Sequence, residues 1–229
     1  MVDGLVGSEM CIRDSHNIAA NNWSEREGPR ALWMESYHRI KSEDFNKSWL
    51  IDKINLISQD NTATAALLIE DALQLNDDSD IRMQAVDLAF ERAEYEIAED
   101  HISNIEPSPQ KKILTARLSR IRGDIESAIN LENQAISELS SAERIRFQTS
   151  MLVRKYDDRL PGKLSKSSAD EILLGINGIN LKDISDRDRY TAELSLNLLK
   201  HAISLQISDL TLASQSRSEL EIILSGDSE

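Results

Sequence analysis

Apolar residues along most of this chain return every three or four positions, in runs broken by short polar stretches. That spacing gives a helix one apolar face. The pattern is clearest from Ser108 to Ser140, where Ile113, Leu114, Leu118 and Ile121 share one face and Ile125, Ala128, Ile129, Ala135 and Ile136 share another. Ser108 then Pro109 reads as an N-cap and first helical residue, because proline's missing amide hydrogen is not needed there. Gly123, within Arg122-Gly123-Asp124, supplies the φ > 0 residue that ends the first helix. Neither helix can bury its face alone, which predicts stacking against similar units.

Two further hairpins precede this one. The first runs from about Asn46 to Asp77, with Trp49, Leu50, Ile54, Leu56 and Ile57 on one helix. After a turn at Gln59-Asp60-Asn61, Ala65, Leu68, Ile69, Ala72, Leu73 and Leu75 face inward from the other. The next runs from about Asp80 to Pro107, with Ile81, Val86, Leu88, Ala89 and Phe90, then Tyr95, Ala98, Ile102 and Ile105.

These three units resemble tetratricopeptide repeats, whose pattern has a large residue early in helix A, a small eighth residue, and alanine at positions twenty and twenty-seven. The twentieth position is matched by Ala65, Ala98 and Ala128, and the twenty-seventh by Ala72 and Ala135, with Ile105 in the middle unit. Trp49 matches the early aromatic, Leu56 the eleventh position, Ile69 and Ile102 the large residue between the alanines, and Ala116 the small eighth residue. Lys112, Glu132 and Lys53 depart from the pattern, and the resemblance covers about residues 46–140. It implies an all-α fold of stacked antiparallel hairpins, a right-handed superhelix, with a C-terminal helical segment after it.

Around the repeats, Trp33, Tyr37 and Ile40 share one side of a short helix expected to pack on the first hairpin. Ser140 to Glu143 and Ser168 to Glu171 read as capping boxes that open helices. Pro161-Gly162, within Asp157 to Lys166, is the best boundary, so residues 29–156 form the repeat region and 167–225 a C-terminal helical region. In the latter, Leu194, Leu198, Leu199, Ala202 and Leu205 recur at helical spacing, and frequent serines suit a polar-faced terminal cap;.

Residues 1–28 stand apart. Leu5 to Ser15 (LVGSEMCIRDS) resembles the translation of a transposon-type sequencing adapter, and His16 to Pro29 is polar without a period. The expectation is that this part is artefactual or unstructured and that the natural start lies elsewhere. The lone cysteine, Cys11, is then uninformative.

Composition narrows the function. Across 229 residues the net charge is -14, and without Met1–Ser15 it is still -12, from 37 acids and 25 bases. Such a chain is a poor non-specific ligand for nucleic acid, which needs clustered Lys and Arg. No apolar run is long enough to span a membrane, so a soluble protein of cytoplasm or periplasm is expected.

Catalytic, cofactor and metal signatures are not found. Gly175-Ile176-Asn177-Gly178 lacks the lysine and Ser/Thr of a phosphate loop. Asn76 to Asp87 lacks the glycine of a calcium loop. His38, His101 and His201 have no metal-ligand spacing. Asn22-Trp23-Ser24 and Asn46-Lys47-Ser48 are sequons by pattern only.

The expectation is therefore a non-catalytic scaffold that binds a peptide or protein on the surface of its first helices. Asp52, Lys53, Arg82, Lys111, Arg117 and Arg120 are the candidate partner-binding residues. The basic ones would suit an acidic or C-terminal carboxylate segment. The alternative is a helical appendage of a larger enzyme or a secretion or envelope assembly protein. A pocket gathering Arg187, Asp188, Arg189 and His201 would instead point to chemistry in the last third.

Overall fold

The computed structural model describes residues 3–157, 164–182 and 184–225, with side chains from Cys11 onward. Among these residues there are twelve α-helices and no strand, which establishes the all-α class. The chain divides into two compact units, residues 1–132 and 133–229. Pro161 and Gly162, the expected boundary, lie outside the described residues.

The first unit holds α1 (Asp3–Ser24), α2 (Pro29–Lys41), α3 (Lys47–Asp60), α4 (Thr62–Leu75), α5 (Ser79–Glu91), α6 (Tyr95–Ser103) and α7 (Pro109–Ile121). The division falls inside α8 (Ile125–Glu138). The second unit continues with α9 (Ser141–Asp157), α10 (Lys166–Asn177), α11 (Asp186–Gln206) and α12 (Leu210–Ser225).

Helices start where side chains supply acceptors for their first amides. Asn46 accepts from the Trp49 amide, Asn61 from Thr64, Ser108 from Lys111 and Ser185 from Asp188. Asn61 also closes α3, donating its N–H to the Ile57 carbonyl, so a single residue links α3 to α4. At Ser140 the Glu143 carboxylate reaches back to the backbone amide as expected, and the serine hydroxyl donates to the same carboxylate. Helix α10 begins three residues before its expected start. Ser165 takes the capping role from Ser168, whose own amide it accepts.

Four helix ends share one backbone device. Glu43, Ala93, Gly123 and Ser208 have φ of 57°, 58°, 84° and 57°. The amide after each reaches a carbonyl five residues back: Asp44 to Arg39, Glu94 to Ala89, Asp124 to Ser119 and Asp209 to Ser204. This is the Schellman closure. Asp124 and Asp209 then cap the following helix by accepting from the Ser127 and Leu212 amides. The α11–α12 turn in the second unit is thus built like the α7–α8 turn.

The interior follows the alanine pattern. Ala65, Ala72, Ala98, Ala116, Ala128 and Ala135 are all at 0% exposure. Small side chains here let helix backbones approach closely, and Leu50, Ile54, Leu68, Ile69 and Leu88 fill the space between. A second cluster joins Val86, Phe90, Ile102, Leu114 and Leu118, and the second unit has its own core of Leu152, Ile172, Ile176, Leu196, Leu199 and Ile203.

The buried stripes are narrower than the sequence pattern. Leu56, Leu75, Tyr95, Ile121, Ile125, Ile129, Leu198 and Leu205 are exposed. Leu56 shows why: it stands two residues from buried Ile54, which is about 200° round the helix.

Helix α1 runs through His16–Ser24, where the pattern alone predicts no regular element. Ala20 is buried and His16 half-buried, whereas Cys11 through Ser15 are all exposed. Among the described side chains of this helix, the first that is not exposed is His16, the residue after the adapter-like stretch.

Candidate functional site

The structure gives most of the expected partner-binding residues an intramolecular partner. Lys53 lies 3.3 Å from the buried Glu35 carboxylate and 5.6 Å from the Trp49 ring centre. Arg82 is bonded to Asp77. Lys111 donates to the carbonyls of Ser103 and Ile105 at 3.0 and 2.7 Å, tying down the end of α6. Arg117 reaches Asp87 at 3.0 Å and lies 4.3 Å from the Phe90 ring centre. Arg120 grips Glu132 through two bonds of 2.9 and 2.6 Å. Only Asp52 is exposed with no polar contact among the described residues.

Glu132 explains one departure from the repeat pattern. It occupies a position usually held by a bulky apolar residue, and it is buried at 2% exposure. A buried carboxylate needs a counter-charge and hydrogen bonds, and the Arg120 fork provides both.

These bonds tie neighbouring first helices side by side. Gln84 of α5 donates to Asn55 of α3 at 2.9 Å, Arg117 of α7 reaches Asp87 of α5, and Lys47 of α3 bonds to Asp78 and Asp80. Burial works to raise Asp78, but the Asp80 and Ile81 amides and the Lys47 ammonium outweigh it and hold its carboxyl below the usual range. Asp87 moves the other way: burial raises it further than Arg117 lowers it.

On the second helices of the hairpins the surface is more open. A groove of about 560 Å³ lies between α4 and α6, floored by Ala66, Ala85 and Ala89 of α4 and α5. Leu67 and Ile97, 70% and 47% exposed, line it, and Glu70, Glu96 and Asp100 make its edge acidic. Arg92 in the same lining is matched to Glu94 at 2.6 Å. At one end His101 Nε2 meets Glu70 Oε1 at 2.8 Å, and the bond with His101 holds the Glu70 carboxyl below its ordinary range. The buried Nδ1 of His101 has no hydrogen-bond partner among the described residues.

A groove of about 920 Å³ runs between α9 and α11 in the second unit. Arg146, Thr149, Ser150, Val153, Arg154 and Asp157 form one helical stripe of α9; Arg187, Asp188, Thr191, Ala192 and Ser195 face them from α11. Arg146 reaches Asp188 at 2.7 Å. The Ser185 hydroxyl and then Arg146 hold the Asp188 carboxyl below its usual range. The buried Thr149 hydroxyl makes no hydrogen bond among the described residues, a shortfall that costs roughly 1–3 kcal/mol when unfilled;.

Of the charged residues singled out in the last third, Arg187 and Asp188 enter this groove, but Arg189 and His201 do not. Arg189 bonds to the Leu181 and Ile184 carbonyls and His201 to the Ser216 hydroxyl. Arg146, Thr149, Ser150 and Arg154 were not anticipated, although the three- and four-residue steps from Arg146 to Thr149 and from Arg146 through Ser150 to Arg154 are a readable polar stripe on an otherwise apolar-faced helix.

The remaining histidines pair across helices. His16 Nδ1 of α1 and His38 Nδ1 of α2 lie 2.8 Å apart. Burial lowers the His38 pKa, and His16 lowers it further. Among the described residues no group of three or more His, Cys, Asp or Glu is placed to hold a metal, and no helix is long and apolar enough to cross a membrane. No protein-family model, curated protein or solved structure matches the chain.

Proposed function

We propose that the chain is a non-catalytic interaction module whose first unit binds a peptide or protein partner on stacked, tetratricopeptide-like hairpins. The observation that carries this reading is the register of the polar links. Asn55–Gln84, Asp87–Arg117, Lys47–Asp78 and Glu70–His101 join residues 29, 30, 31 and 31 apart. First helix is tied to first helix and second to second, one repeat length along. Continued stacking of this kind yields the extended superhelical surface that repeat proteins use for recognition.

The α4–α6 groove is the best place for a partner. Its exposed Leu67 and Ile97 offer apolar contact, and its edge is acidic. A segment with apolar anchors and Lys or Arg beside them fits that chemistry. This reverses the polarity expected from sequence, because the basic residues of the first helices already have partners within the chain, carboxylates for Lys53, Arg82, Arg117 and Arg120 and backbone carbonyls for Lys111.

Selection of a displayed random-peptide library on the purified protein tests the reading. Enrichment of a basic, apolar consensus is expected, with binding lost in Leu67→Asp and Ile97→Asp proteins whose helical circular dichroism is unchanged. No enriched consensus, or binding indifferent to both substitutions, would overturn it.

A further inference from the structure

We propose that the groove between α9 and α11 binds a small phosphorylated polyol, a phosphomonoester that also carries hydroxyl groups. This site is independent of the peptide reading, since it lies wholly in the second unit.

The first argument is the placement of charge. Contacts between neighbouring helices are ordinarily apolar, yet here Arg146 and Arg154 of α9 and Arg187 of α11 line one groove. They do so in a chain of net charge -14. Two carboxylates share the lining, Asp157 and Asp188; Asp188 bonds to Arg146 through a single guanidinium nitrogen and interacts with Arg187 at longer range. Arg187 is exposed and has no ion pair among the described residues. Guanidinium groups match phosphate oxygens in geometry and charge.

The second argument comes from the hydroxyls. Ser150, Thr191 and Ser195 each donate their hydroxyl hydrogen to a carbonyl of their own helix, at Phe147, Arg187 and Thr191. Their oxygens keep lone pairs that can accept from a ligand. Inorganic phosphate brings at most its own acidic hydrogens, close to the charge; a polyol brings several hydroxyl donors spread over its length, to reach more than one of these oxygens. Thr149, buried in the same lining with no hydrogen bond among the described residues, adds a group that is both donor and acceptor. The volume of about 920 Å³ lies in the ~300–1,000 Å³ range of small-molecule sites;.

Titration calorimetry on the whole chain tests the proposal with ribose 5-phosphate, glucose 6-phosphate and adenosine monophosphate. Ribose and inorganic phosphate serve as the two halves of the ligand. At least one phosphomonoester is expected to bind more tightly than either half. Arg146→Ala and Arg187→Ala should each weaken it about tenfold or more, and Arg187→Lys, which keeps the charge and loses the fork, should weaken it less. Arg217→Ala, at an exposed pair on α12, should leave binding unchanged. Both groove arginines are exposed, so the variants should keep their helical spectrum.

Three results would overturn the proposal: no phosphomonoester binds, binding survives loss of Arg146 and Arg187, or Arg217→Ala weakens it equally. Inorganic phosphate binding as tightly as the esters would reject the polyol requirement.

Discussion

In the first unit Arg82, Arg117, Arg120 and Arg122 each end on a carboxylate of another turn or helix. In the second, Arg146, Arg154 and Arg187 gather along one groove, where Arg146 is matched to Asp188 and Arg187 has no ion pair among the described residues. The background differs too. Residues 1–132 carry 25 acids and 14 bases, net -11, whereas residues 133–229 carry 15 and 12, net -3. A scarce basic residue in an acidic unit is taken up by its nearest carboxylates. Where the balance is nearly even, the placement of arginines is freer and more informative.

The largest expected break in this comparison is at Arg120. Arg120→Ala removes both guanidinium bonds from the buried Glu132 carboxylate and should cost about 3–5 kcal/mol in urea unfolding;. Arg146→Ala removes an exposed pair and should cost no more than about 1 kcal/mol. Equal losses would mean that the two units do not use arginine differently.

Packing should matter alike in both units. Ala98→Leu inserts bulk at a fully buried alanine and is expected to cost about 1–3 kcal/mol by thermal melting;. In the second unit a Cβ on Gly175 would sit 2.6 Å from Leu152 Cδ2, so Gly175→Ala must displace a core side chain. A loss near the lower end of that range is expected there, because the atom to be moved is the tip of a flexible side chain.

The turns sharpen the likeness between the units. Ala93 and Ser208 hold φ of 58° and 57° without being glycine. Ala93→Gly and Ser208→Gly should each stabilise by up to about 1 kcal/mol, and Gly123→Ala should destabilise by a similar amount.

Acid should act first on α1 and α2. His38 has a lowered pKa, so the unfolded chain takes up its proton before the folded one does, and stability falls as pH drops below about 6.5;. Glu70, Asp78 and Asp188 also have lowered pKa values. Their contribution is complete above the ordinary carboxylate range and is lost as pH falls through it, near pH 4 and below. Protection of the α1 amides, taken relative to the intrinsic exchange rate at each pH, should therefore fall between pH 7.5 and 5.5 while that of α11 changes little, and His38→Ala should flatten that response. The smallest effect is expected from removing residues 1–15. The described side chains there are exposed, and the Arg13–Glu43 pair is open to solvent, so melting should shift by less than about 0.5 kcal/mol;.

How far the sequence carried this picture depended on the range of the signal. Local chemistry was legible: Ser108 caps α7, Gly123 takes positive φ, and the repeat alanines are buried. Signals that compete locally were not. Ser165 and Ser168 stand three residues apart and both suit a cap, and the tertiary structure uses the first. The roles of the basic residues were least legible. Arg120 looks solvent-facing on its own helix, and its task is set by Glu132 on the next one. Glu132 was visible as a break in the pattern, but nothing local to it named its partner. Helix α1 likewise owes its buried contacts to α2, through His38 and Tyr37, and not to a period of its own.

The repeat-length register has a further consequence, for the time course of folding. Links of the first unit close loops of 29 to 33 residues, and its hairpins are joined by only a few residues. Contacts so near in sequence require little search, so the unit should fold quickly for its size. It should also open from its margins inward, each hairpin being held only by its neighbours. Hairpin α5–α6, flanked on both sides, would be the last to exchange its amide hydrogens and the natural nucleus from which the others zip up.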